Sequence, residues 1–207
     1  MNDDQVFRVA LIAGFFVVLP IGLYHRLRAN TGEPLDRRQE GWFILATLRP
    51  AGFLFMFSLL AYATDPGWMA WASVPLPRVV RWIGVALYVM ATALILWTFR
   101  TLGRNITDTV VTRHEHTLVT RGPYRWVRHP FYVSVALMMA GSTLAAANWF
   151  LAVASALFFF LIAIRTRTEE QKLVERFGDA YSDYMQETGR FWPTSFPSSS
   201  PPTTKPR

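Results

Sequence analysis

The chain contains no cysteine, which excludes disulfides, thiolate metal sites and thiol nucleophiles and leaves the redox compartment open. It also has no glycine-rich phosphate loop and no internal repeat, so neither a dinucleotide-binding motif nor a repeat array organises it. Its leading residues Asn2, Asp3 and Asp4 lack the positive charge that opens a secretory signal, and the hydrophobic block behind them reads as a retained helix. Lys and Arg are absent between Thr64 and Pro77.

What is there is hydrophobic and blocked. The 52% apolar content is concentrated in four runs, Val6 to Tyr24, Gly41 to Ala63, Val79 to Phe99 and Phe131 to Ile164. About 20 residues cross a bilayer, so the last run is too long for one helix and must fold into a hairpin. Its break belongs at Asn148-Trp149, a turn former beside an interfacial aromatic. The expected fold is all-α and integral to the membrane, with about five transmembrane helices. The two hairpin arms are short, at the lower edge of a spanning length.

The net charge of +7 follows this topology. Arg26, Arg28, Arg37 and Arg38 come after the first helix; Arg100, Arg104, Arg113, Arg121, Arg125 and Arg128 come after the third. By the positive-inside rule the N-terminus is external, while the first loop, the central loop and the C-terminus are cytoplasmic. The charge then needs no nucleic-acid partner, and membrane lipids are the expected surroundings.

Residues 1–100 are read as three transmembrane helices, 101–193 as a loop, hairpin and C-terminal segment carrying the chemistry, and 194–207 as a disordered tail rich in Pro, Ser and Thr. The Asp65 to Pro77 connection, with Trp68 and Trp71, suits an anchor at headgroup level. From Glu169 to Glu187, Leu173, Val174, Phe177, Tyr181 and Tyr184 recur near helical spacing and predict one amphipathic surface helix, weakened by Gly178.

Polar groups gather on the cytoplasmic side. The central loop offers His114, Glu115, His116, Tyr124, Arg128, His129 and Tyr132; the exit of the fifth helix offers Glu169 and Glu170. A folded-back hairpin would bring the two groups together. The histidine spacing is wrong for a helical zinc pair, and no metal is expected. Adjacent helical carboxylates diverge by about 100 degrees, so one of Glu169 and Glu170 should face the site. Pro130 fits the first turn of a helix. Arg49 lies inside the second hydrophobic run, where it either faces a polar cavity or snorkels to the headgroups.

The run Leu118-Val-Thr-Arg-Gly-Pro-Tyr-Arg-Trp-Val-Arg-His-Pro-Phe-Tyr132, the hairpin, Glu169-Glu170, Phe177-Gly-Asp-Ala-Tyr-Ser-Asp-Tyr184 and Thr188-Gly-Arg-Phe-Trp-Pro193 together resemble the C-terminal half of isoprenylcysteine carboxyl methyltransferases. The likeness runs from Leu102 to Pro193 and extends to the first three helices only by hydropathy. It implies an S-adenosylmethionine-dependent methyltransferase with its site at the cytoplasmic membrane face. His116, Leu118 and Val119 would line the cofactor, Tyr124, His129 and Tyr132 would close around its amino-acid end, and Glu169 or Glu170 would bind the ribose hydroxyls. Arg128 or Arg49 would orient an anionic acceptor as catalytic residues.

The implied acceptor is a lipophilic carboxylate, either a small molecule or a lipidated substrate of isoprenylcysteine type. Phospholipid amine N-methyltransferases and small-thiol S-methyltransferases carry a related pattern, and those acceptors are the alternatives. Outside catalysis, a transporter would show paired ionisable groups in several helices, and a non-catalytic scaffold would show a blocked cleft. Oligomeric state is not legible.

Overall fold

The computed structural model describes residues 3–29, 42–103 and 117–194. Among these residues six α-helices follow one another: α1 Asp3–Ala29, α2 Trp42–Thr64, α3 Arg78–Leu102, α4 Pro130–Ala146, α5 Trp149–Phe177 and α6 Asp179–Glu187. Among the described residues there is no strand beyond two isolated bridges. Helices α1, α2, α3 and α5 are long and apolar enough to cross a membrane, and α4 is a shorter apolar helix.

Helix α4 is held closest to α3, because two glycines let the backbones touch. A Cβ on Gly84 would lie 2.6 Å from the Ala145 nitrogen, and one on Gly141 would lie 2.7 Å from the Gly84 oxygen. Small residues at such a crossing gain dispersion contact without a hydrophobic driving force. The hairpin turns where expected: Ala147 adopts a left-handed conformation at φ 51, and the Asn148 side chain accepts from Leu151 N, capping α5. Asn148 also donates to Met69 O at 3.1 Å, which ties the hairpin to the 3-10 segment Pro66–Ala72. Around that segment Trp68 and Trp71 are exposed, with Trp71 edge-on to Trp149, as an interfacial anchor requires.

The end of the molecule bearing these tryptophans also carries basic residues, but their charge is used internally. Arg8 donates to the carbonyls of Ala63 and Thr64, satisfying acceptors that a helix C-terminus leaves open. Arg81 donates to Ala145 O at 2.9 Å, pairs with Asp4, reaches the Tyr62 hydroxyl and stacks 4.2 Å over the Phe7 ring. One side chain thereby joins α1, α2, α3 and α4.

Two sequence expectations need correction. The second hairpin arm does not stop near Ile164: α5 runs 29 residues to Phe177, so it continues past the apolar stretch into charged sequence. Nor is Glu169 to Glu187 a single helix. Gly178, at φ 57, breaks it into the end of α5 and a separate α6, since that backbone conformation ends a helix cheaply only at glycine.

Candidate active site

The site is built where a proline starts a helix. Pro130 occupies the first turn of α4 and His129 is its N-cap residue at φ −123 and ψ 61, outside the helical geometry that a following proline disfavours. A 3-10 turn, Gly122–Arg125, precedes it. Gly122 has φ 63, and its α-carbon sits against the Thr101 side chain, which seats the turn on the end of α3.

The C-terminal segment then returns as a strap. After α6, Gly189 bridges in parallel to Val127; Arg128 N donates to Gly189 O at 2.8 Å and His129 N to Arg190 O at 3.1 Å. Gly189 is required there, because any Cβ would strike the Trp192 carbonyl. The Arg-His pair is thus gripped on its backbone by residues about sixty positions later.

At the centre lies Glu170, buried on α5. Its Oε1 accepts from Arg128 Nε at 2.9 Å and faces His129 Nε2 at 3.2 Å. Its Oε2 accepts from Arg190 Nε at 3.0 Å and also from Arg190 Nη2. An ionised carboxylate offers about four lone-pair sites, and all four are taken. Arg128 spends Nη1 on the carbonyls of Met185 and Thr188, so the same network fastens the end of α6.

Glu169 is placed differently. Its Oε2 accepts from the Tyr132 hydroxyl at 2.7 Å, and its Oε1 takes no partner among the described residues. Tyr132 stacks on His129, rings 5.4 Å apart and 11° from parallel. Tyr184 donates to Tyr124 O at 2.5 Å. Burial raises the Tyr124 phenol, and the Glu169 charge raises it further. Burial likewise raises Tyr181, where Glu170 adds to it, and Tyr184. All three stay neutral donors across the physiological range.

Of the residues singled out from sequence, Arg128, His129, Tyr132, Glu169 and Glu170 come together, and Tyr124 joins them through Tyr184. Leu118 and Val119 instead line a cleft of about 490 Å³ against Arg100, Thr101 and Arg121 at the end of α3, which shares none of the central residues. Arg49 is exposed on α2 and makes no hydrogen bond or ion pair among the described residues. His116, like His114 and Glu115, lies outside the described residues, as does most of the segment 194–207.

Arg190 escaped assignment from sequence. It stood within the Thr-Gly-Arg-Phe-Trp-Pro run, but a two-residue bridge leaves no periodicity by which to place it. Its neighbour Phe191 packs 6.0 Å from the His129 ring and 5.6 Å from Phe159. Phe159 in turn borders a groove of about 380 Å³ between α4 and α5, lined by Ala136, Met139, Ala140 and Ala156. An apolar slot within the membrane-spanning layer therefore reaches the polar cluster through two phenylalanines.

Residues 83–175 match the model of the isoprenylcysteine carboxyl methyltransferase (ICMT) family. The chain resembles that family. A protein-S-isoprenylcysteine O-methyltransferase of Schizosaccharomyces pombe is 38% identical over 77 residues, 35% of this chain and 31% of that protein. Its Mus musculus counterpart is 36% identical over 101 residues, 47% of this chain and 34% of that protein. The chain therefore spans about a third of the length of these relatives.

A solved structure of a eukaryotic intramembrane Ras methyltransferase, ICMT, superposes over 91% of this chain and 68% of its own, with a TM-score of 0.56 at 21% identity. The family match covers most of α3, α4 and nearly all of α5, and with them Arg128, His129 and both glutamates. The fold is that of an all-α integral membrane protein.

Proposed function

We propose that the chain is an S-adenosylmethionine-dependent membrane methyltransferase that transfers a methyl group to the carboxylate of a lipophilic acceptor of isoprenylcysteine type. The observation that carries this reading is the convergence of Arg128, His129, Tyr132, Glu169 and Glu170 at the junction of the α4 start, the α5 exit and the C-terminal strap. The positive-inside pattern orients that junction to the cytoplasm and the N-terminus to the outside.

The donor set fits the cofactor. When bound, S-adenosylmethionine would supply an activated methyl on its sulfonium. Glu169 keeps one oxygen free to accept from vicinal hydroxyls, whereas Glu170 is saturated; Glu169 is the ribose partner of the pair. His129, Tyr132 and Tyr124 flank the amino-acid end, and Leu118 and Val119 line the separate cleft at the end of α3. Arg128 retains its Nη2 hydrogens after its other bonds are made and orients the acceptor carboxylate by a charge-assisted bond. A carboxylate is already ionised at neutral pH, so no general base is needed, and positioning supplies most of the acceleration.

The groove between α4 and α5 supports a lipophilic acceptor, because its apolar lining lies between two membrane helices and includes Phe159, which packs on Phe191. Methyl transfer from labelled cofactor to prenylated cysteine, phospholipid amine and small thiol, each supplied to the purified protein in detergent, tests the reading. Transfer to the prenylated carboxylate alone supports it. Transfer only to an amine or thiol contradicts the acceptor, and absence of any cofactor binding contradicts the enzyme.

A further inference from the structure

Glu170 is too heavily occupied to be a ligand site, yet its contact with His129 has a chemical consequence. An ionised carboxylate accepts hydrogen bonds and donates none. Facing Glu170 Oε1 at 3.2 Å, His129 Nε2 must therefore carry a hydrogen. In the neutral imidazole the other nitrogen, Nδ1, is then a bare acceptor. Nδ1 takes no partner among the described residues, nor is it one of the buried atoms sealed without one.

The ring cannot turn to exchange its nitrogens at low cost. It is stacked on Tyr132 at 11°, flanked by Phe191 and buried to 6% exposure. Its backbone is fixed between Pro130 and the carbonyl of Arg190. Glu170 is itself fixed by Arg128 and Arg190, so the carboxylate reads as a rigid reference for the ring.

We infer that Glu170 is a positioning residue that holds His129 in its Nε2–H tautomer, so that Nδ1 serves as an acceptor for an N–H donor, the ammonium of the cofactor's amino-acid end. The assignment of the ammonium rests on the methyltransferase reading; the tautomer does not. A site built this way selects a ligand with an N–H donor at that point and rejects one whose carboxylate is placed there, since two acceptors cannot pair. Carboxylate-to-imidazole hydrogen bonds fix tautomers in the same way in metal sites and catalytic triads.

The experiment is nitrogen NMR of protein labelled with ¹⁵N-histidine in detergent micelles at mildly alkaline pH, without cofactor, with the His129 signals assigned by their loss in His129→Asn. The expected wild-type result is a protonated Nε2 and an unprotonated Nδ1. In Glu170→Gln, whose amide both donates and accepts, the two tautomers should mix. A wild-type ring protonated on Nδ1, or an unchanged spectrum in Glu170→Gln, overturns the inference. The wild-type spectrum decides even if the variant does not fold.

A second arm compares S-adenosylhomocysteine with its deaminated analogue by calorimetry. Loss of the ammonium should weaken binding about 10-fold to 100-fold, in line with a hydrogen bond to a charged group. Equal affinities would overturn the ammonium assignment, while failure of both compounds to bind would instead contradict the methyltransferase reading and leave the tautomer result standing.

Discussion

Arg190 and Glu170 form the ion pair that fastens the C-terminal strap to α5, with Arg190 Nε 3.0 Å from Oε2 and the arginine side chain 34% exposed. The pair closes the chain: residues that begin α4 are held between the helix that leaves the membrane and the segment that follows it. Removing the two partners should have unequal effects. Arg190→Ala leaves Glu170 with Arg128 and His129 and, because its own charge is partly screened, should cost about 1 to 2 kcal/mol. Glu170→Ala strands the Arg128 guanidinium, whose side chain is 8% exposed, and should cost about 3 to 5 kcal/mol. Thermal unfolding of both variants in the same detergent checks the order; equal losses would mean that the strap, and not the buried charge, sets stability.

The glycine crossing of α3 and α4 gives a second expectation. Gly141→Ala places a methyl group 2.7 Å from the Gly84 carbonyl and 2.8 Å from the Tyr88 nitrogen, backbone atoms that cannot rotate away. The helices must separate, at about 1 to 3 kcal/mol. A melting temperature equal to wild type would show that the crossing is looser than described.

Arg81 offers a test of the opposite end. Arg81→Met keeps the volume but leaves Asp4, Tyr62 and Ala145 O without their partner, and should destabilise the protein by about 2 to 3 kcal/mol. It touches none of the cofactor or acceptor residues proposed above. Cofactor affinity measured below the melting temperature should be unchanged, and a tenfold loss would tie the two faces of the membrane together.

The tyrosines around the strap set a pH limit. Tyr124, Tyr181 and Tyr184 have phenols raised by burial above the usual value, which in an unfolded chain is about 10. Below that pH both states hold the proton, and the contribution is constant. Above it the unfolded chain releases protons that the folded protein retains, so stability falls as pH rises. Tyr181→Phe should lose less stability than wild type between about pH 10 and pH 11; identical alkaline slopes would mean that Tyr181 titrates normally in the fold.

How far the sequence reveals this depends on whether a feature has a local signal. The hairpin break was legible because Asn148 is a good cap and Trp149 an interfacial residue, and both act within a few positions. Pro130 announced the start of α4 for the same reason. The convergence of Arg128 and His129 with the paired glutamates followed from folding the hairpin back. Gly178 carries a weak signal in sequence, since its cost in a helix interior is small beside its advantage at positive φ. The strap could not be seen at all. Two bridging residues make no pattern, and Arg190 declares its partner only when Glu170 is placed within 3.0 Å. The distinction between Glu169 and Glu170 was equally hidden, because it depends on which lone pairs other side chains have filled. Arg49 drew attention through its cost in a hydrophobic run, yet the structure leaves it exposed on α2.

The most direct test is calorimetric titration of S-adenosylmethionine into the detergent-solubilised protein, wild type and Glu169→Gln. Saturable binding by wild type, weakened about 10-fold to 100-fold when Glu169 loses its charge, is the predicted result. A folded wild-type protein that takes up no cofactor would contradict the methyltransferase assignment.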